Sequence, residues 1–246
     1  SDFRHFMLKE IHEQPETAEL WNLRHLPQGL NGQSPVKLPF EESFYDSVDQ
    51  IQILACGTSR HASMVGAYLL EQFAGIPTSV FYASEFRYAP PPLSPNTLTI
   101  GVTQSGETAD TLAALAMEEK RRNELEDFAF VSRQLGITNQ TESSLARQVN
   151  NIFDIGAGLE VGVAATKTFF AQLLAFYGLT LALSSRRKTR SPDEINNLVN
   201  ELRAIPDQVR ALLPKHTELA QSLSHEFSNV KDVIFLGRGI NYPIAL

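Results

Sequence analysis

Thr103-Gln104-Ser105-Gly106-Glu107-Thr108 gathers three hydroxyls, an amide and a glycine directly after the apolar run Leu98–Val102 and before a helical pattern over Thr108–Asn123. Hydroxyls and unpaired backbone N–H groups that converge at a helix start, where the dipole supplies about half a positive charge, bind an anion such as phosphate without Lys or Arg. The same residue types also suit an ordinary N-cap. A second turn of this kind, Gly57-Thr58-Ser59, follows the apolar run Ile51–Cys56. A third segment, Gly158 to Lys167, opens the most apolar helical stretch and reads equally as a site loop or as a glycine-containing loop with an N-cap.

The elements that must position these turns alternate. Strand patterns at Ile51–Cys56, Thr78–Tyr82, Thr97–Thr103, Leu135–Thr138 and Ile152–Ile155 are separated by helical patterns at His61–Ala74 and Thr108–Asn123 and a helical turn at Ser143–Gln148. Continuous apolar runs at this spacing predict an α/β fold with a parallel sheet covered on both faces. In such a sheet, ligands sit outside the carboxyl ends of the strands where strand order reverses, so the two turns would form one pocket. Two short helices over Phe3–Leu26 precede the sheet, and residues 27–47, rich in Pro and Gly, form an irregular connection. Helices follow at Ala164–Leu183, Pro192–Leu213 and Lys215–Phe227, with breaks expected at the basic run Arg186-Arg187-Lys188, read as a solvated helix end, and at Pro214.

Val233-Ile-Phe-Leu-Gly237-Arg-Gly239 repeats the pattern of Ile51–Ser59, an apolar strand ending in a glycine turn. It reads either as the start of a repeated domain or as a last strand completing one sheet. The division expected is 1–47 for N-terminal helices and connection, 48–230 for a first domain and 231–246 for the opening of a truncated second one.

Composition narrows the function. Among 246 residues, 28 acidic against 21 basic side chains give a net charge of −7 without long runs, which argues against nucleic acid or an anionic membrane as partner. The single cysteine, Cys56, precludes an intrachain disulfide framework and suits a reducing cytoplasm. The apolar stretch Phe169–Leu183 is shorter than the roughly 20 residues of a membrane span and reads as a buried helix, in a domain interior and at a subunit interface. The six histidines never pair with carboxylates or Cys56 at ligand spacing, so no metal is expected. The turn after Gly57 lacks the further glycines of a dinucleotide fingerprint, and no Gly-Lys-Ser/Thr phosphate loop is present.

Ala-Cys-Gly-Thr-Ser at 55–59, Ser-Glu-Phe-Arg-Tyr at 84–88, Gln-Ser-Gly-Glu-Thr-Ala-Asp-Thr-Leu at 104–112 and Glu-Val-Gly-Val-Ala at 160–164 resemble the glucosamine-6-phosphate synthases, the isomerising glutamine:fructose-6-phosphate aminotransferases. Phe-Arg-His-Phe-Met-Leu-Lys-Glu-Ile at 3–11 is similar to the stretch that follows the glutaminase domain in that family. Leu-Gly-Arg-Gly at 236–239 is similar to the opening of its second sugar isomerase (SIS) domain. The resemblance implies a three-layer α-β-α sandwich with a five-stranded parallel sheet and a ligand that is fructose 6-phosphate or glucosamine 6-phosphate. Thr103, Gln104, Ser105 and Thr108 would hold the phosphate, Thr58 and Ser59 would line the pocket, and Val163 would meet the sugar through its backbone. The position of Thr103 is usually Ser in the family, and Ala165 stands where Ser is common, so Ala165 is left out. Residues 121–134 read as a surface insertion.

The resemblance also implies a cytoplasmic homodimer with a glutaminase domain and a second SIS domain as partners, and no cofactor. The lysine, carboxylate and histidine of the family's isomerase chemistry belong beyond Leu246, so no catalytic residue is expected here. Cys56 is read as structural, and Lys167 and His61 as exposed first-turn residues of their helices. Glu107 should turn outward, because a carboxylate facing the pocket would repel a phosphate dianion. A non-catalytic SIS module that senses sugar phosphates in a regulator is the alternative reading.

Overall fold

The computed structural model describes residues 3–27 and 34–246. Among these, five β-branched and apolar runs pair as parallel strands: β1 (Gln50–Ala55), β2 (Thr78–Tyr82), β3 (Thr97–Val102), β4 (Arg133–Thr138) and β5 (Asn151–Asp154), in the order β2-β1-β3-β4-β5. The period of two sends alternate side chains to opposite faces. Ile51, Ile53, Leu98, Ile100, Leu135, Ile137 and Phe153 point into the larger core, while Leu54 joins a smaller one on the other face.

The larger core is closed by α2 (Gln14–His25), α3 (Gly57–Leu69), α7 (Lys167–Arg187) and α8 (Pro192–Phe227), through residues such as Trp21, Val65, Phe176 and Val199. The smaller is closed by α4 (Ala83–Phe86), α5 (Ala109–Asn123) and α6 (Ser144–Gln148), through Phe86, Leu115 and Leu145. This is the expected three-layer sandwich. The short α1 (Phe6–His12) precedes α2, and α9 (Tyr242–Ala245) packs against α3 near the end of the chain. Part of the expected connection, residues 28–33, lies outside the described residues. By length and composition α7 alone among the described helices is apolar enough to cross a bilayer, yet 72% of its most apolar stretch is buried inside the fold, as befits a core helix.

Three expectations need correction. No helix break occurs at Pro214: α8 runs unbroken through Pro206 and Pro214. A proline cannot donate to the carbonyl four residues back, and at Pro206 that carbonyl, Leu202 O, instead accepts the Asn22 side-chain amide at 3.2 Å. The second correction concerns residues 233–236, which form no strand; their side chains are 55–90% exposed, and no neighbouring strand pairs with them. Residues 121–134 are not a simple surface insertion. Arg122 is buried and salt-bridged to buried Glu118 at 2.9 Å, Glu118 also accepts the Gln52 amide at 2.6 Å, and the exposed residues are 123–128 and Val131. The basic run is the exposed end of α7, as expected, where Arg186 pairs with Asp46 at 2.8 Å and Arg187 donates to the Val48 carbonyl.

Candidate functional site

The strand order reverses between the parallel neighbours β1 and β3, because β1 leads outward to β2 on one side and the chain then returns to β3 on the other. Ala55 and Val102, the last residues of these strands, lie in register. The two turns singled out from the sequence therefore leave the sheet side by side at its switch point, where α/β folds bind ligands.

Both turns end in helix N-termini without a side-chain cap. Thr108 stands at the N-cap of α5 and Cys56 at that of α3, and neither side chain bonds a helix N–H. By contrast, Ser143 caps α6 and Ser191 closes a full capping box on α8. The N-cap alternative for the Thr103–Thr108 turn is thus set aside for its side chains. Its hydroxyls are turned to each other and to the turn: Thr103 and Thr108 Oγ1 lie 2.6 Å apart, and Ser105 Oγ accepts the Glu107 N–H at 3.2 Å. Gly106 makes the geometry possible. Its φ is +68°, and a Cβ there would fall 2.0 Å from Ser143 Oγ.

The backbone of this turn is anchored to β4. The Gln104 carbonyl accepts Asn139 N–H at 3.1 Å and the Thr138 hydroxyl at 3.3 Å, while the Gln104 side-chain amide has no partner among the described residues. Glu107 does turn outward, exposed, with its carboxylate accepting Ser144 N–H at 2.8 Å. That backbone hydrogen bond holds its pKa below the usual carboxylate value, so it is ionised at neutral pH while engaged by α6.

On the β1 side, Thr58 is exposed in the first turn of α3, and Ser59 Oγ accepts the amide of buried Gln172 at 3.0 Å, which ties α3 to α7. Val163 is fully exposed on the loop between β5 and α7. The structure thus joins Thr103 to Thr108, holds Ser105 on Glu107 and Gln104 on the end of β4 within the same turn, and joins Ser59 to α7. Thr58 and Val163 form no hydrogen bond with the turn.

Lys167 is corrected: it is buried, with Nζ 2.7 Å from Glu13 Oε2. His61 is half-buried rather than exposed, and burial, then the adjacent Arg60 charge, lowers its pKa and keeps it neutral. Cys56 is half-buried at the end of β1.

Sequence reasoning missed the residues that build the loop bearing Val163. Asn139 accepts Ala157 N–H at 2.8 Å and donates to the Gly158 carbonyl at 2.6 Å. Glu160 accepts the N–H groups of Thr166 and Thr168 and the Thr168 hydroxyl at the start of α7. Glu10 accepts Val161 N–H at 2.6 Å and Gly162 N–H at 3.1 Å. Only Glu10 and Glu160 carried a signal, by their placement inside the motifs at 3–11 and 160–164; Asn139 lies in neither.

Two cavities suit a phosphate less well. One of about 460 Å³ beside this loop holds Lys167 and Arg24, but each is paired with a carboxylate, Glu13 and Asp154, and Glu16 adds another negative charge. The other, about 310 Å³ between α7 and α8, is lined mainly by apolar residues such as Phe73, Phe170, Leu173 and Leu198.

A parallel five-stranded sheet with hydroxyl-bearing turns at its switch point has the architecture of a ligand-binding α/β domain. Residues 44–182 match the SIS domain family, and the chain belongs to it. It is 57% identical, over 99% of its length, to the isomerising glutamine–fructose-6-phosphate aminotransferase of Thermosynechococcus vestitus, and 54% identical to that of a Nostoc species; it spans 39% of each. In three dimensions it resembles the C-terminal domain of glucosamine-fructose-6-phosphate aminotransferase from Francisella tularensis, with a TM-score of 0.87 and 36% identity over 99% of this chain and 65% of that one. These relatives favour the enzyme over the regulator.

Proposed function

We propose that this chain is the sugar-phosphate-binding half of the isomerase part of an isomerising glutamine:fructose-6-phosphate aminotransferase. The observation that carries the reading is the meeting, at the switch point, of two helix N-termini free of side-chain caps with the hydroxyls of Thr103, Ser105 and Thr108. Thr103, Gln104, Ser105 and Thr108 hold the phosphate of fructose 6-phosphate or glucosamine 6-phosphate. Thr58 and Ser59 line the sugar, and Val163 meets it through its backbone. Neutral donors suit a phosphate that must be released at each turnover, since a guanidinium fork would hold it more strongly.

In the parent enzyme, ammonia derived from glutamine aminates fructose 6-phosphate and the product isomerises to glucosamine 6-phosphate. The residues of this chain bind and orient the sugar phosphate; the proton-transfer and Schiff-base groups are assigned to a second SIS unit that 231–246 opens. By this reading the chain alone binds without turning over. The glutaminase domain, the second SIS unit and a second copy of the chain are its partners in the cytoplasm. The part of α7 left to face another copy is the apolar groove against α8, and light scattering that found only monomer at high concentration would remove the homodimer.

Calorimetric titration with fructose 6-phosphate, glucosamine 6-phosphate and fructose tests the site. Both phosphates should bind and fructose should not, and a Ser105→Ala, Thr108→Ala variant should lose at least about tenfold in affinity, as expected for two missing hydrogen bonds to a charged group. Binding that ignores the phosphate or the double substitution contradicts the reading.

A further inference from the structure

We infer that Glu10 is a positioning residue for the sugar, holding from α1 the loop that carries Val163; the inference rests on the reading of Val163 as a sugar contact. Glu10 is 3% exposed, and its carboxylate takes two successive backbone donors, Val161 N–H at 2.6 Å on Oε1 and Gly162 N–H at 3.1 Å on Oε1 and 3.2 Å on Oε2. Charge-assisted bonds of this kind compensate a buried carboxylate and fix the direction of the backbone that donates them. Gly162 is shaped for this approach, since a Cβ there would stand 2.6 Å from Glu10 Oε2.

Val163 follows at once, fully exposed and without a hydrogen bond of its own among the described residues. Its place is therefore set by its neighbours. On the upstream side these are Val161 and Gly162 in the grip of Glu10. On the downstream side the start of α7 is held by Glu160, and by Glu13 through Lys167 at 2.7 Å. Glu10 and Glu13 are three residues apart and so share one face of the chain at α1. Glu10 makes no bond to the Thr103–Thr108 turn, so its removal should loosen the sugar contact and leave the phosphate contact intact.

Titrations of the wild-type chain and of Glu10→Ala, Glu10→Gln and Gly162→Ala with fructose 6-phosphate and with inorganic phosphate test this. Glu10→Ala and Gly162→Ala should weaken fructose 6-phosphate by about tenfold, the scale on which small misplacements act, and leave inorganic phosphate unchanged. Glu10→Gln keeps one acceptor oxygen and should fall between. Thermal melts establish which variants fold, and if Glu10→Ala does not, the other two carry the comparison. Unchanged fructose 6-phosphate affinity in folded variants overturns the inference, as does an equal loss for both ligands, the mark of a general structural role. A wild-type chain that binds neither ligand overturns the reading of the site and the inference with it.

Discussion

The Thr103–Thr108 turn and the loop from Ala157 to Thr166 leave the same end of a parallel sheet, yet they are built by opposite means. The hydroxyls of the turn bond within it, Thr103 to Thr108 and Ser105 to the Glu107 N–H, around a left-handed position at Gly106 that suits glycine. The loop is held by groups from elsewhere, Asn139 at 18 residues' distance and Glu10 at 151. A site assembled this way has one half whose hydroxyls bond locally while its backbone hangs on β4 and α6, and another held by side chains that reach it from α1 and from the end of β4. In the proposed function, the first half takes the phosphate and the second the sugar.

The sharpest way to break this contrast is at Gly106. Gly106→Ala forces a side chain onto a φ of +68° and into Ser143, and should cost about 3 kcal/mol in urea denaturation through combined strain and overpacking. Binding of both fructose 6-phosphate and inorganic phosphate should then fall at least about a hundredfold in the variant that still folds, because the phosphate donors lose their geometry.

Asn139 joins the two halves, its backbone N–H on Gln104 and its side chain on Ala157 and Gly158. Asn139→Ala keeps the first contact and removes the second, leaving a buried Ala157 N–H unpaired at a cost of about 2 kcal/mol. Fructose 6-phosphate affinity should drop more than phosphate affinity. An equal drop would show that the halves are not separable.

A smaller effect is expected at Glu160, whose charge sits at the N-terminus of α7. Glu160→Gln should lower the melting midpoint by a few degrees, corresponding to about 1 kcal/mol, without altering phosphate binding.

The smallest effect is the pH dependence contributed by Glu13, which holds Lys167 at the start of α7. Burial pushes the Glu13 carboxyl up, but hydrogen bonds from Lys167 and then Lys9 outweigh it and hold the pKa below the ordinary 4.5. A folded pKa below the unfolded one gives stability that is present above the unfolded value and is lost as pH falls through the folded value. Wild type should therefore keep its advantage over Glu13→Gln from neutral pH down to about pH 4.5 and lose it as the pH falls further, as read from denaturation midpoints.

The same contrast explains what could be read from the sequence. The strands, the layer order and the phosphate turn rest on periodicity and on neighbouring residues, and they were legible. The strand expected at 233–236 fails because four apolar residues make a strand only when another strand pairs with them. Lys167 appeared exposed because nothing near it in sequence announces Glu13. Glu10, Asn139 and Gln172 act across 151, 18 and 113 residues, and no local pattern marks a side chain whose partner is that far away. The continuity of α8 through Pro206 depends likewise on an amide supplied by α2.

The most direct test of the division of labour is the backbone amide spectrum of the chain during titration. Fructose 6-phosphate should shift the resonances of Ser105, Gly106 and Thr108 together with those of Gly162 and Val163, whereas inorganic phosphate should shift only the first group. Shifts by fructose 6-phosphate that leave the Thr103–Thr108 amides in place, or shifts that fall in the cleft lined by Arg24 and Lys167 instead, would contradict the account.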